Sequence, residues 1–358
     1  MTIALPSSLP TPQMPDVNRV PALRWGVIGP GLIANAWTET VLRNTRQRVT
    51  AVASRTPHRA RDFAAKFGIG SVYSSYEALF GDPNVDAVYV ATQQHVHRDA
   101  VLAAIAAGKH VLVEKPIATL PDDARAIADA ARAAGVLVME AMWTSYLPQA
   151  DIIRQLIADG VLGDIKYVQA DLGQDQWDNP RLFEPEGGGT SHDMGIYPVA
   201  FISQFFPEAP LTVEAMGELT DRGVDAEIAI RLKYPNGGIG HAYASMLAFS
   251  RSAAWVDGSK ATLSVELPFP VPSTLNLYHR EFNPQVAASW TDESGIVGHE
   301  GLCYQATAFA SFVEQGLSES PIRSLADSVR DIEIITAARH QIGAFYPGEP
   351  GRNSGSNG

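Results

Sequence analysis

From Leu23 onward the chain alternates between short apolar runs and longer stretches in which apolar residues recur every three or four positions. The runs at Leu23–Ile28, Gln47–Ser54 (QRVTAVAS), 85–92 (VDAVYVAT), 109–116 (KHVLVEKP) and Val136–Glu140 read as buried strands. Between them, Asn35–Arg43, the alanine-rich stretch closed by Gly108, and Asp122–Ala134 read as helices. Strand and helix alternate up to about Trp143. That order predicts a parallel, doubly wound sheet with its ligand crevice at the carboxyl ends of the strands.

After a helix at Ala150–Asp159 the pattern changes to period-two alternation, which predicts strands at Ile165–Leu172, Leu211–Leu219, Ala226–Tyr234, Gly238–Leu247, Ala253–Val256 and Ala261–Val265. Turn signals at Pro235–Gly238 and Asp257–Ser259 join some of them antiparallel. Helices at Tyr304–Gln315 and Ser324–Ala344 close the second half. The expected class is α/β: an N-terminal doubly wound sheet, then an α+β domain with a large, mostly antiparallel open sheet. The expected boundaries are a proline-rich extended arm over 1–21, a first domain over 22–143, a second over 144–347 and a loose tail over 348–358. The arm is either disordered or laid across a neighbour.

Composition narrows the function. With 27 Lys+Arg against 39 Asp+Glu the net charge is −12, which opposes binding to nucleic acid or an anionic membrane surface. A single cysteine, Cys303, excludes an internal disulfide and a cysteine-rich metal site, and points to a reducing compartment. The first 21 residues carry no export-signal pattern and no run is long enough to span a bilayer, so the expected location is cytoplasmic.

The candidate chemistry starts at LRWGVIGPGLIA. Gly29, Gly31 and Ala34 match G-x-G-x-x-G/A after a strand, so Leu32 and Ile33 would open a helix whose N-terminus receives a pyrophosphate, as in a Rossmann domain. The second strand ends Ser54-Arg55-Thr56, without the acid that accepts from a ribose 2′-hydroxyl. Arg55, with Arg59 nearby, suits a 2′-phosphate, so NADP is favoured over NAD. The strand ends at Thr92–His97 (TQQHVH) and at Glu114-Lys115-Pro116 point into the same crevice. There His97 reads as part of a cofactor-facing polar loop rather than a metal ligand, and no metal is expected. In Gly187–Pro198 (GGGTSHDMGIYP), three glycines suggest close backbone approach, and Asp193 and Tyr197 are one helical turn apart. Pro198 leaves two possibilities: a helix already running through Tyr197, or one that starts at the proline. Alone, this pair reads most simply as a capping aspartate and a core tyrosine.

Together, GPGLIA, EKP and DMGIYP after a glycine triplet resemble the glucose-fructose oxidoreductase, inositol dehydrogenase and MocA family. Glu140–Trp143 (EAMW) and Arg181–Gly189 (RLFEPEGGG) resemble its branch of dimeric dihydrodiol dehydrogenases and NADP-dependent D-xylose dehydrogenases. The resemblance implies Lys115 and Tyr197 as the catalytic pair, with Asp193 accepting from a substrate hydroxyl or orienting Lys115. It implies Trp143, Trp177 and Phe183 as pocket walls. The implied reaction is NADP-dependent hydride transfer at a carbinol carbon, first of all aldose C1 oxidation to a lactone. Alternatives on the same fold are a trans-dihydrodiol dehydrogenase, a glycosidase with a transient dinucleotide cofactor, and a non-catalytic sensor. Relatives pair their open sheets between subunits, which implies a homodimer or larger assembly with the arm near a cofactor site. Gln93, His192 and Ser145 depart from the usual proline, apolar residue and arginine.

Overall fold

The computed structural model describes residues 5–347 and Glu349, which form two compact units. One comprises residues 11–152 and 292–329; the other comprises 5–10, 153–291 and the described residues from 330.

The first unit is built on six strands: β1 (Arg24–Ile28), β2 (Arg48–Ala53), β3 (Ser71–Tyr73), β4 (Ala87–Val90), β5 (His110–Glu114) and β6 (Val138–Ala141). All pairs are parallel, in the order β3-β2-β1-β4-β5-β6, so the strand sequence reverses direction between β1 and β4. Helices α1 (Leu32–Asn44), α2 (Pro57–Phe67), α3 (Tyr76–Phe80), α4 (His97–Ala106) and α5 (Pro121–Ala134) connect them. Every residue of β4 is buried, as expected of a strand covered on both faces. Trp25 of β1 meets Trp37 of α1 edge-on at 5.1 Å, and Trp37 stacks on Tyr89 of β4 at 4.3 Å.

The one boundary expected at 143/144 differs from the path the chain takes. After α6 (Pro148–Ala158) and the second sheet, residues 292–329 return to the first unit, where Phe309 of α8 (Leu302–Glu314) packs on Trp25 at 4.8 Å. α8 is apolar on most sides, so it needs cover that its own sequence neighbourhood does not supply. The arm, described from residue 5, has no helix or strand up to Pro21. Gln13 N–H donates to Asp151 at 2.7 Å, Gln47 donates to the Pro21 carbonyl at 2.8 Å, and Leu9 and Val20 are buried, so the arm lies along its own chain.

The second unit holds eight strands: β7 (Ile165–Gly173), β8 (Thr212–Leu219), β9 (Asp225–Lys233), β10 (Ile239–Ser245), β11 (Ala254–Gly258), β12 (Ala261–Val265), β13 (Thr274–His279) and β14 (Val286–Thr291). Their order is β14-β13-β12-β11-β7-β10-β9-β8, antiparallel except for β7 beside β10. Six match the expected strands within three residues. β13 and β14 were not anticipated, because Pro268, Pro270, Pro272 and Pro284 break the surrounding pattern, although Leu275 and Leu277 alternate as buried residues. Helix α7 (Ile196–Ser203) packs on β7 and β10, and Ser203 donates to Asp331 of α9 (Leu325–Gln341) at 2.6 Å. Of the tail expected to be loose, Gly348 and residues 350–358 lie outside the described residues. Glu349 is buried against Arg339 at 2.8 Å. Among the described residues, no helix is long and apolar enough to cross a membrane.

Candidate functional site

The glycine turn between β1 and α1 has one tight side and one open side. Gly29 has φ +77°, and a Cβ there would meet the Ala91 carbonyl and Thr92 nitrogen at 2.7 Å, so the turn can pass β4 only without a side chain. At Gly31 a Cβ would meet nothing closer than 3.9 Å, which leaves space over the start of α1. The first turn of α1 contains no acidic residue, and Gly31 supplies no side-chain cap. Those N–H groups suit an anion. Leu32, at the helix start, is almost fully exposed. Ile33 stands beside it on the first turn. One strand over, the buried Ser54 accepts from the Thr56 N–H at 3.1 Å, and Arg55 and Arg59 are exposed on either side of Pro57, the first residue of α2.

Lys115 follows β5 directly, at the carboxyl end of the same parallel sheet. Its turn is held from three directions. Glu114 turns inward: Tyr89 donates to one oxygen and the Lys115 N–H donates to the other at 3.2 Å. Burial pushes the Glu114 carboxyl up to about 7. His97 also turns inward, 1 % exposed, with Nδ1 2.9 Å from the Pro116 carbonyl and Nε2 3.1 Å from the Thr92 carbonyl. Burial outweighs both carbonyls and pulls its pKa down to about 4. Glu114 and His97, expected among the cofactor-binding residues, thus have side chains that bond within the fold. His97 joins the Thr92 loop to the lysine turn, and Glu114 joins that turn to Tyr89 of β4.

The third hold was not anticipated. Glu140 of β6 accepts from the Ile117 N–H at 2.9 Å, from Arg323 at 2.9 and 3.0 Å, and from Ser328 at 2.7 Å, with the ion pair almost fully buried. The available signal was an acid inside the otherwise apolar run VMEA. Its partner, about 180 residues further on, carried no signal of its own.

In the second unit, the glycine triplet serves internal packing. Gly188 and Gly189 donate to the carbonyls of Glu184 and Leu182 at 2.7 and 2.8 Å, and a Cβ on Gly189 would overlap the Asp225 carboxylate. Asp225 in turn accepts from the Ser191 N–H at 2.5 Å, and burial pushes its carboxyl up to about 6. Ser191–Gly195 is a π-helical turn that runs straight into α7, so Pro198 is the third residue of α7 rather than its first. The wider winding before the proline relieves the clash with the preceding turn that an α-helix would suffer. Asp193 and Tyr197 lie just under one turn apart on this stretch, both partly exposed. Asp193 accepts from Arg181 at 2.7 Å, a partner the sequence did not indicate. Trp177 and Phe183 form an edge-to-face pair at 5.0 Å in the preceding loop, with Trp177 half exposed. The first unit holds Lys115 and Trp143; the second holds Asp193, Tyr197, Trp177 and Phe183.

Two family profiles match the chain: "Oxidoreductase family, NAD-binding Rossmann fold" over residues 23–142, and "GFO/IDH/MocA C-terminal domain" over 151–264. The chain is 36% identical over 331 residues to the trans-1,2-dihydrobenzene-1,2-diol dehydrogenase of Mus musculus, covering 91% of this chain and 98% of that protein. Its structure resembles a 3-ketoreductase from Actinomadura kijaniata in complex with NADP and TDP-benzene (TM-score 0.76, 27% identity, 91% and 99% of the two chains). It also shares the fold of a levoglucosan dehydrogenase in complex with NADH and levoglucosan (TM-score 0.80, 20% identity, 90% and 97%).

Proposed function

The chain belongs to the oxidoreductase family with the NAD-binding Rossmann fold and the GFO/IDH/MocA C-terminal domain, and within it we propose that this protein oxidises a carbinol carbon of a small polyol with NADP, an aldose at C1 first. The observation that carries this reading is Lys115 at the carboxyl end of β5, held by Glu114, His97 and Glu140 in the same sheet as the Gly29 turn.

The residues present fit a dinucleotide: Gly31 leaves room for backbone approach, and the start of α1 offers N–H groups without a competing acid. When bound, the nicotinamide supplies a hydride acceptor at C4. Gly29, Gly31, Leu32 and Ile33 would hold the pyrophosphate end, and Thr92 the loop beside it. Exposed Arg55 and Arg59 would pair with a 2′-phosphate, for which a planar guanidinium fork is suited. The NADP complex of the 27%-identical ketoreductase supports that preference.

Tyr197 takes the hydroxyl proton as the carbonyl forms. A tyrosine with an ordinary pKa near 10 is a weak base at neutrality, and the role of Lys115 is to favour its phenolate. Asp193, oriented by Arg181, accepts from a second substrate hydroxyl. Trp177 and Phe183 supply apolar faces for a sugar or diol ring, with the buried Trp143 backing the wall on the first unit. The identity to the murine enzyme favours a second reading, oxidation of a trans-dihydrodiol.

A panel of aldoses and cyclic trans-diols, each with NADP and with NAD, tests the proposal by absorbance of the reduced cofactor. An aldose should be turned over fastest, with NADP. In Arg55→Ala the KM for NADP should rise about tenfold, one charge-assisted contact, while the KM for NAD stays constant. Equal effects on the two cofactors would refute the 2′-phosphate assignment, and no turnover of any sugar or diol would refute the reading itself.

A further inference from the structure

Just ahead of α8, residues 298–301 form a 3-10 turn whose anchors are on α1, the helix that follows the glycine turn. Thr40 donates to the Glu300 carbonyl at 2.7 Å, and Arg43 pairs with the Glu300 carboxylate at 2.6 Å. The other oxygen of that carboxylate accepts from the Val297 N–H at 3.2 Å. Glu300 thus fixes the turn to α1 on one side of residue 299 and holds the Val297 N–H on the other. Between these anchors His299 is exposed. Its ring stacks on Trp143, with centroids 5.8 Å apart and planes at 30°, while Trp143 itself is buried.

Lys115 acts on the same imidazole. Desolvation of the face against Trp143 first, and then the repulsion of the Lys115 charge, lower the His299 pKa from its ordinary 6.5 and so favour the neutral ring. A neutral imidazole has one donor and one acceptor, whereas a lysine ammonium only donates. Lys115 and His299 together therefore offer hydrogen-bonding capacity that matches a polyhydroxylated molecule better than a mostly apolar one. The anchored turn and the aromatic platform lower the entropy that His299 would otherwise lose on contact.

We propose that His299 is a specificity-determining residue of the dehydrogenase site, hydrogen-bonding a hydroxyl of a polyhydroxylated substrate and thereby favouring aldoses over dihydrodiols. The inference rests on the reading of Lys115 as a member of the catalytic pair. It adds a residue that the glycine, lysine and tyrosine motifs do not include.

The test uses His299→Phe, which keeps a ring on Trp143 but removes both nitrogens, and His299→Asn, which restores a donor and an acceptor. The substrates are the fastest aldose of the panel and trans-1,2-dihydrobenzene-1,2-diol, with cofactor binding followed separately by fluorescence titration. In His299→Phe, kcat/KM for the aldose should fall at least tenfold, mainly through KM. The value for the diol should stay within about threefold, and the dissociation constant for NADP should not move. His299→Asn should recover part of the loss on the aldose. An unchanged KM for the aldose, or equal losses on both substrates, would overturn the proposal while leaving the dehydrogenase reading intact. If the unsubstituted protein turns over neither class, that reading fails and the role of His299 falls with it.

Discussion

Glu114 and His97 look alike in sequence, as polar residues at strand ends, and the fold gives them opposite titration behaviour beside the same turn. The Glu114 carboxyl is raised by burial from its ordinary 4.5 to about 7, so its contribution to stability is full below pH 4.5 and is lost as pH rises through 7. His97 is lowered from 6.5 to about 4, so its contribution is present above pH 6.5 and is lost as pH falls through 4. Glu114→Gln keeps an acceptor for the Tyr89 hydroxyl and removes the titration. Between pH 5 and 8 the Tm of the unsubstituted protein should fall relative to that of Glu114→Gln; parallel Tm curves would contradict the burial of a raised carboxyl. The sequence marks both residues as polar and near a site. It does not show that they face inward, because the His97 partners are main-chain carbonyls and the Glu114 partner is a tyrosine inside an apolar strand.

What positions Lys115 is a set of elements rather than its own strand. β6, through Glu140, ties the turn after β5 to Arg323, just ahead of α9, and to Ser328 in its first turn. Removing one member of a buried ion pair leaves the other without its countercharge, a loss of roughly 3–5 kcal/mol. Glu140→Leu should show that loss in denaturant unfolding, whereas a change below about 1 kcal/mol would contradict a supporting role for the pair. In the first unit β1, β2, β4, β5, β6, α1, α4 and α5 were legible, whereas α2, β3 and α3 were not: β3 has three residues and α3 five, and α2 is rich in charged residues. The π-turn at Ser191–Gly195 was not legible either, since it depends on Asp225 and on the return of the chain at Tyr346. The Tyr346 hydroxyl lies 2.7 Å from the His192 Nδ1 and 2.7 Å from the Gly188 carbonyl. The close approach that the glycine triplet signalled is to the chain itself.

For the whole molecule, periodicity was enough to distinguish a parallel from a mostly antiparallel sheet, because strand burial on two faces and on one face leaves different patterns. It could not show that residues 292–329 rejoin the first unit, since α8 is apolar on most sides and names no partner. The second sheet has one face covered by α7. On the other face, Met216, Tyr243, Tyr167, Trp255 and Tyr278 stand among polar residues, with Trp255 stacked on Tyr278 at 5.6 Å. An aromatic-rich face of this kind is expected to be covered by a second copy of the chain. Light scattering at micromolar concentration should give at least a dimer, and Trp255→Glu should lower the apparent mass. A monomeric unsubstituted protein would contradict this assembly.

In the proposed dehydrogenase, Tyr197 is the group that moves the proton. Tyr197→Phe retains the ring and its packing and deletes only the hydroxyl, so the decisive measurement is kcat in this variant, taken beside its NADP affinity and its Tm. If Tyr197 is the proton-transfer group, kcat should fall about 100- to 10,000-fold with affinity and Tm unchanged. Near-normal turnover in a folded, NADP-binding Tyr197→Phe protein would contradict it.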